Sequence, residues 1–197
     1  MIPVLTIKDN FPDVKRQMAQ LEAEVRGPAT ARAINRTLDQ GKTRVVRLIT
    51  AEYNIQARVV RDTLRIQGAS AKGGGFRIVG WLESLSKRGR SLNLIRFAAR
   101  QTVTGVSVQI RRGAGRQMLT GAFIANKGNS AGGTVFVRKG KARTPIEARQ
   151  TIGVQQMFNA SKVNDALLAF FLAKFPEVFE REARFYTERF NRRKAAA

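Results

Sequence analysis

The sequence predicts an α+β fold in which N-terminal helices and a long C-terminal helix pack on a small antiparallel β-sheet. Apolar residues recur at helical spacing in the first third of the chain, alternate at strand spacing in the middle, and return to helical spacing in the last third. With 197 residues, 43% of them hydrophobic, the chain can bury a core. We expect one domain with four parts: an N-terminal arm and helix (1–27), a helical segment (28–70), a basic β region (76–146) and a C-terminal helix (161–193).

The N-terminal part begins with a short strand or arm and continues as a helix capped at Asp9 or Asn10. The glycine–proline pair at 27–28 is expected to end that helix, and a second helix follows it. Gly41 interrupts the second helix, which indicates a kink or the close approach of another backbone.

A shorter third helix is expected over residues 55–64. Asn35 lies inside the second helix, where an asparagine typically holds neighbouring backbone by hydrogen bonds.

After the glycine triplet at 73–75, apolar and polar residues alternate with period two. This pattern predicts three or four antiparallel strands in the middle of the chain. The predicted strands are 76–82, 103–110, 119–124 and 134–137. Segment 92–100 fits a loop, a short helix or an irregular strand. Phe136, at the centre of the last strand, is expected to face the core.

The C-terminal helix is predicted over residues 162–190 with Ser161 as its cap, and Pro176 predicts either a kink or two helices meeting there. Aromatic residues lie on more than one of its faces, so the helix needs two partners, its own sheet and a neighbouring subunit. The predicted packing and oligomer residues are Phe171, Phe175, Phe179 and Tyr186. Glu180 and Arg184 are at ion-pair spacing, which favours a structural role over paired catalytic carboxylates.

Several function classes are excluded or disfavoured by composition, because the chain has neither cysteine nor histidine. Zinc sites built from these residues, disulfides, and histidine- or cysteine-dependent catalysis are impossible. No glycine-rich loop has the spacing of a phosphate-binding loop. We therefore expect no enzymatic activity, no cofactor and no metal.

The longest apolar run, residues 166–173, is far shorter than the ~20 residues that span a bilayer, so no membrane contact is expected. The first residues lack the basic start of a signal peptide.

Charge is concentrated in the β region: the net charge is +22, and no acid lies between Glu83 and Glu147. That interval contains the following cations: Lys87, Arg88, Arg90, Arg96, Arg100, Arg111, Arg112, Arg116, Lys127, Arg138, Lys139, Lys141 and Arg143. Three explanations remain open, namely solvated loops, contact with nucleic-acid phosphates, and docking on an acidic protein ring.

Three segments, in this order, resemble the minor tail protein Z family of lambda-like tailed phages. They are the helical run 31–36 (ARAINR), the strand 121–124 (GAFI) and the run 137–146 (VRKGKARTPI) before the C-terminal helix. The resemblance covers roughly residues 28 to 190.

The resemblance implies a structural virion protein that completes the tail at the head–tail junction. Its implied partners are tail terminator, tail tube or neck proteins. It also implies a homo-hexamer or six copies on a ring, DNA bound in the channel without sequence specificity, and a place in the virion after assembly in the host cytoplasm.

The basic surface would face DNA or an acidic neighbouring ring, and the residues we expect to carry it are Arg111, Arg112, Arg116, Lys139, Lys141 and Arg143. The alternative is a sequence-independent nucleic-acid-binding protein, because the charge alone explains such binding equally well.

Overall fold

A computed structural model describes Ala19 and residues 21–71, 79–84, 91–126, 128 and 131–196. The helices are α1 (Gly27–Glu52), α2 (Ala57–Thr63), α3 (Val154–Phe158) and α4 (Ser161–Ala195), with a π-helical turn at Glu22–Arg26 and a 3-10 turn at Leu94–Arg96. The strands are β1 (Leu64–Gln67), β2 (Trp81–Ser84), β3 (Arg100–Gln101), β4 (Gly105–Val108), β5 (Gln117–Thr120), β6 (Ala122–Ala125), β7 (Thr134–Arg138) and β8 (Ile146–Ala148). The α+β class is confirmed.

Helix α1 confirms the second predicted helix, but the expected break at residues 27–28 is wrong. The π-helical turn Glu22–Arg26 runs directly into α1, and Pro28 lies in the first turn of α1. The first turn of an α-helix tolerates proline because its N–H groups have no partner within that helix. The predicted arm and the cap at Asp9 or Asn10 lie outside the described residues.

The sequence predicts a helical segment over residues 28–70, but residues 64–67 of it form a strand. Helix α2 confirms the third helix, but its C-cap residue Leu64 has extended backbone and opens strand β1. Leu64 is buried, and this burial fits a strand as well as a helix over so short a run.

The β region has more strands than the three or four predicted, and its antiparallel pairing is confirmed. In the part of the chain that the structure describes, three sheets have the orders β1-β2, β3-β4-β5 and β6-β7-β8. The predicted strand 119–124 is in fact two strands in different sheets, separated by Gly121 at φ +73°. Strand β8 and helix α3 were not predicted, and residues 76–78 of the first predicted strand lie outside the described part of the chain.

Segment 92–100 combines a turn and a strand. Asn93 caps the 3-10 turn Leu94–Arg96, and Arg100 opens the short strand β3. The Asn93 side chain also pairs with the backbone of Val135: its Nδ2 donates to the carbonyl oxygen at 3.2 Å, and its Oδ1 accepts from the N–H at 2.9 Å. One amide side chain thus satisfies both polar groups of a buried residue of β7.

Helix α4 runs without interruption from Ser161 through Pro176 to Ala195, so the alternative of two helices meeting at the proline is wrong. The Glu180–Arg184 ion pair is confirmed, with 3.3 Å between Arg184 Nη2 and Glu180 Oε1.

The chain divides into two compact units, and the single domain stays a prediction. One unit contains residues 39–66 and 82–171, the other residues 1–38, 67–81 and 172–197. The first unit has two hydrophobic clusters. In the larger cluster, Val45 and Ile49 of α1 lie with Val163 and Leu167 of α4, and in the smaller, Val106 and Val108 of β4 lie with Val135 of β7.

Gly41 of α1 is buried in the first unit, and the group packed against it is an aromatic ring and not the backbone of another segment. A Cβ at this position would overlap the ring of Phe171. The close approach predicted at Gly41 is therefore made by an aromatic side chain of α4.

In the second unit Asn35 has the predicted role. Its side chain donates to the carbonyl oxygen of Ala69 at 3.0 Å and accepts from the Ala69 N–H at 2.7 Å. Ala69 is buried, so the amide of Asn35 replaces the hydrogen bonds that this backbone would lose on leaving water.

Candidate interaction surface

Arg116 holds two parts of the β region together. Its Nη2 donates to the carbonyl oxygens of Ala98 at 2.6 Å and Ser107 at 2.9 Å, and its Nε donates to the Ser107 hydroxyl at 2.7 Å. Ala98 is in the left-handed region, at φ +47°, and its carbonyl is one of those accepting from the guanidinium. Most of the directional hydrogen bonding of Arg116 is therefore used within the protein.

Arg111 and Arg112 lie at the C-terminal end of α1. Arg112 donates from Nε to the carbonyl oxygen of Thr50 at 2.7 Å, and from its backbone N–H to that of Glu52 at 3.0 Å. The Arg111 guanidinium lies 5.8 Å from the centroid of the Tyr53 ring. Cations at this end of a helix satisfy its last carbonyls and oppose its dipole.

The other three residues of the predicted basic set lie on the connection between β7 and β8. Lys139 forms an ion pair with Glu147, with 2.5 Å between Nζ and Oε1. Lys141 and Arg143 are exposed, and within the described part of the chain neither side chain has a hydrogen-bond or ion-pair partner.

The structure therefore does not bring the six cations into one cluster of equivalent residues. Arg111, Arg112 and Arg116 belong to the connection between β4 and β5 of one sheet, and the other three to a different sheet. In the first group, Arg112 and Arg116 donate to backbone carbonyls and Arg111 lies over the Tyr53 ring. In the second group, Lys141 and Arg143 have no side-chain partner among the described residues.

The position of Phe136 on strand β7 differs from the sequence prediction. Phe136 is only half-buried, and it stacks on Phe123 with ring centroids 6.0 Å apart. The Arg138 guanidinium lies 4.7 Å from the centroid of the Phe123 ring. Among the described residues neither phenylalanine belongs to the two hydrophobic clusters, so the expectation that Phe136 faces the core is wrong.

The signal for this outer face was present in the sequence. Val135 and Val137 flank Phe136, and the two valines face the smaller cluster, so the phenylalanine between them must point the other way. β-Branched residues fit the inner face of the sheet and leave the aromatic residue on the opposite one.

The predicted packing residues of α4 are half-buried. Phe171 packs against the larger cluster, Phe175 and Phe179 stack with centroids 5.9 Å apart, and Tyr186 meets Phe185 edge to face at 5.4 Å. Their role between subunits stays a prediction.

The perturbed carboxyl groups are structural. Lys162 donates a hydrogen bond to Glu52 and attracts it electrostatically, and both effects lower the pKa of Glu52. Lys174 lowers the pKa of Glu177 in the same way. Each carboxylate is stabilised in its charged form, which is the opposite of what a general acid needs.

Metal sites and membrane-spanning helices are absent from the described residues. No group of three or more metal-ligating side chains lies close enough there to hold an ion. No helix found in those residues combines the length and the apolar character that a membrane crossing requires.

Comparison with known families identifies the type of protein. A family model described as prophage minor tail protein Z (GPZ) matches residues 13–186. The chain belongs to this family. It is therefore a structural component of a phage tail, and part of the virion. No curated protein and no solved structure matches the chain significantly.

Proposed function

We propose that this minor tail protein completes the phage tail at the junction with the head, and that it does so as a structural protein without enzymatic activity. Its neighbours would be tail terminator, tail tube or neck proteins, and it would act as a homo-hexamer or as six copies on a ring. Its basic surface would face the DNA or an acidic neighbouring ring. Assembly would take place in the host cytoplasm.

The observation that carries the proposal is the acid-free interval between Glu83 and Glu147 in a chain of the minor tail protein Z family. A field of one sign repels itself, and an anionic neighbour relieves that repulsion. Phosphates require only cations and backbone donors, so DNA contacts of this kind are weak in sequence preference and allow DNA to leave the channel.

Within the predicted basic set, Lys141 and Arg143 are the best candidates for contact with an anionic neighbour. Both are exposed and have no side-chain partner among the described residues, whereas Arg112 and Arg116 donate to backbone carbonyls of the protein itself. Replacing all six cations would therefore confuse loss of binding with loss of folding.

Deletion of the gene from its phage tests the function as a whole. Electron microscopy of the lysate, with titre measured alongside, should show separate heads and tails, or joined particles that fail to infect. Normal particles at normal titre would contradict the proposal.

A variant with Lys141→Gln and Arg143→Gln tests the basic surface. We expect it to lower titre or DNA retention while its melting temperature stays unchanged. The matched control is Arg44→Gln with Arg47→Gln, which removes the same charge from two exposed positions on α1 and should leave titre unchanged. Equal titres for the two variants would contradict the assignment of these residues.

The purified protein distinguishes the alternative function. A general nucleic-acid-binding protein should bind duplex DNA tightly by itself, and loss of two phosphate contacts should reduce its logarithmic salt slope by about 1.8. Tight binding of this kind, together with normal particles after gene deletion, would favour the alternative.

A further inference from the structure

The outer face of the β6-β7-β8 sheet carries an apolar surface, which we call the aromatic face. Strand register places Phe123, Phe136 and Ala148 in one row across the three strands, and Arg138 beside Ile146 in the next. Residues that pair across strands share a face, and positions two apart on one strand do too. These five residues therefore form one continuous patch.

The two faces of this sheet differ in burial. On the inner face, Val135 is fully buried and Ala122 nearly so, both within the smaller hydrophobic cluster. On the aromatic face, Ile146 is 41% exposed, Ala148 is exposed, and the two phenylalanines are half-buried. Exposed apolar side chains grouped on one face typically mark an interaction site.

The geometry of the rings favours a protein partner over nucleic-acid bases. Arg138 covers the Phe123 ring at 4.7 Å, and Phe136 is stacked beside it at an interplanar angle of 29°. Bases bind proteins by stacking on free ring faces. The Phe123 ring is thus already in contact with a guanidinium and a second ring, and the most exposed apolar groups of the patch are the aliphatic side chains of Ile146 and Ala148.

The surrounding charge specifies the chemistry of the partner. Arg138 lies within the patch, and the connection that follows it carries Lys139, Lys141 and Arg143. Between Glu83 and Asp165 the sequence contains one acid, Glu147. Its carboxylate already forms an ion pair with Lys139. A second copy of this chain, at +22, would bring like charge to the same place.

We propose that the aromatic face docks on a protein surface that has an apolar centre and an acidic rim. This inference rests on the proposed function, because it names the kind of neighbour that holds the protein in the tail. Apolar burial would supply the affinity, and the cations of the β7–β8 connection would supply orientation and association rate.

The probe for the test is tails purified from a phage deleted for this gene, incubated with purified full-length protein and sedimented. The variant Ile146→Glu with Ala148→Glu should bind these tails at least about tenfold more weakly than the unmodified protein, since acids would meet an acidic rim. The matched control is Met118→Glu with Thr120→Glu, which places two acids at the same spacing on β5, an edge strand of the other three-stranded sheet. It should bind as the unmodified protein does.

A lysine pair at the same positions tests the sign of the rim. Ile146→Lys with Ala148→Lys removes the same apolar area as the glutamates, and should bind better than the glutamate variant. Equal weakness of the two variants would overturn the acidic rim, and unchanged binding of the glutamate variant would overturn the docking face.

Crosslinking identifies the occupant. A photoreactive benzoylphenylalanine at Ala148 should crosslink to another tail protein, on a segment that contains apolar residues and acids. Crosslinks to DNA, crosslinks to a second copy of this chain, or no crosslink would each overturn the proposal. If instead the unmodified protein fails to bind the tails, or the deleted phage is fully infectious, the proposed function itself fails.

Discussion

Glu182 is a buried carboxylate of α4 in the second compact unit. It is 3% exposed, and each of its oxygens pairs with a different arginine of α1: Oε1 lies 2.6 Å from Arg36 Nη1, and Oε2 lies 3.2 Å from Arg32 Nε. Arg181 adds a more distant contact at 3.7 Å. The arginine side chains are 48% and 42% exposed, so only the acid has lost its water.

Because Glu182 is buried and the arginines are not, removing the arginines should lower the free energy of unfolding more than removing the charge of Glu182. Replacing both Arg32 and Arg36 by methionine leaves a buried carboxylate with Arg181 alone, and should lower the free energy of unfolding by about 3–5 kcal/mol. Glu182→Gln keeps the shape of the side chain and leaves two arginines that can regain water. We expect it to cost about 1–3 kcal/mol.

Urea denaturation followed by circular dichroism measures both values. The control removes the same two charges from exposed pairs of α4, Arg184→Met with Arg192→Met, and should cost about 0–1 kcal/mol. Adding Glu182→Met to the double arginine variant should recover part of the lost stability, because no buried charge remains. If Glu182→Gln is the more damaging change, or the rescue fails, the buried carboxylate does not determine the cost.

Three further predictions follow from single contacts. Gly105→Ala should destabilise the protein by about 1–3 kcal/mol in urea denaturation, because the new Cβ would overlap a backbone carbonyl of β5; unchanged stability would contradict that overlap. Asn93→Ala should cost about 1–3 kcal/mol, since the N–H of buried Val135 loses its partner while the Val135 carbonyl keeps its bond from the Arg149 N–H, and Asn93→Asp should restore the bond from the Val135 N–H. Lys162→Met should raise the pKa of Glu52 toward its ordinary value in an NMR titration. Because the folded-state pKa of Glu52 is lowered, its stabilising effect is present above the unfolded pKa and is lost as pH falls through the folded one; an unchanged titration in the variant would refute this cause.

The helices were the most predictable part of the fold, because helical periodicity is a local property. The spacing of apolar residues in α1 and α4 was enough to find both, and the role of Asn35 followed from an amide placed inside a helix. The expected break at residues 27–28 failed because proline is acceptable in a first turn, and the sequence does not show where that turn begins.

The strands were less predictable because their pairing is not local. Gly121 divides one predicted strand between two sheets, and the sequence contains no marker that distinguishes such a division from a glycine within a strand. Strand β8 has three exposed residues and no alternation that would identify it.

The sequence predicted which basic residues belong to the candidate surface, but not which contacts each of them makes. The acid-free interval identified the basic β region, and the six cations chosen there include Lys141 and Arg143, whose side chains contact no partner in the described ranges. The sequence could not separate them from Arg112 and Arg116, because the carbonyls that accept from those two arginines are distant along the chain or belong to another strand.

The sequence by itself determined the class of fold, the positive field, the absence of histidine and cysteine chemistry, and the family. These follow from residue type and order, which need no coordinates. Tertiary structure alone decided that Glu182 is buried between arginines, and that Lys141 and Arg143 are exposed without a hydrogen-bond or ion-pair partner among the described residues. Each of these depends on which backbone lies opposite a side chain, and that is set by packing between segments far apart in the chain.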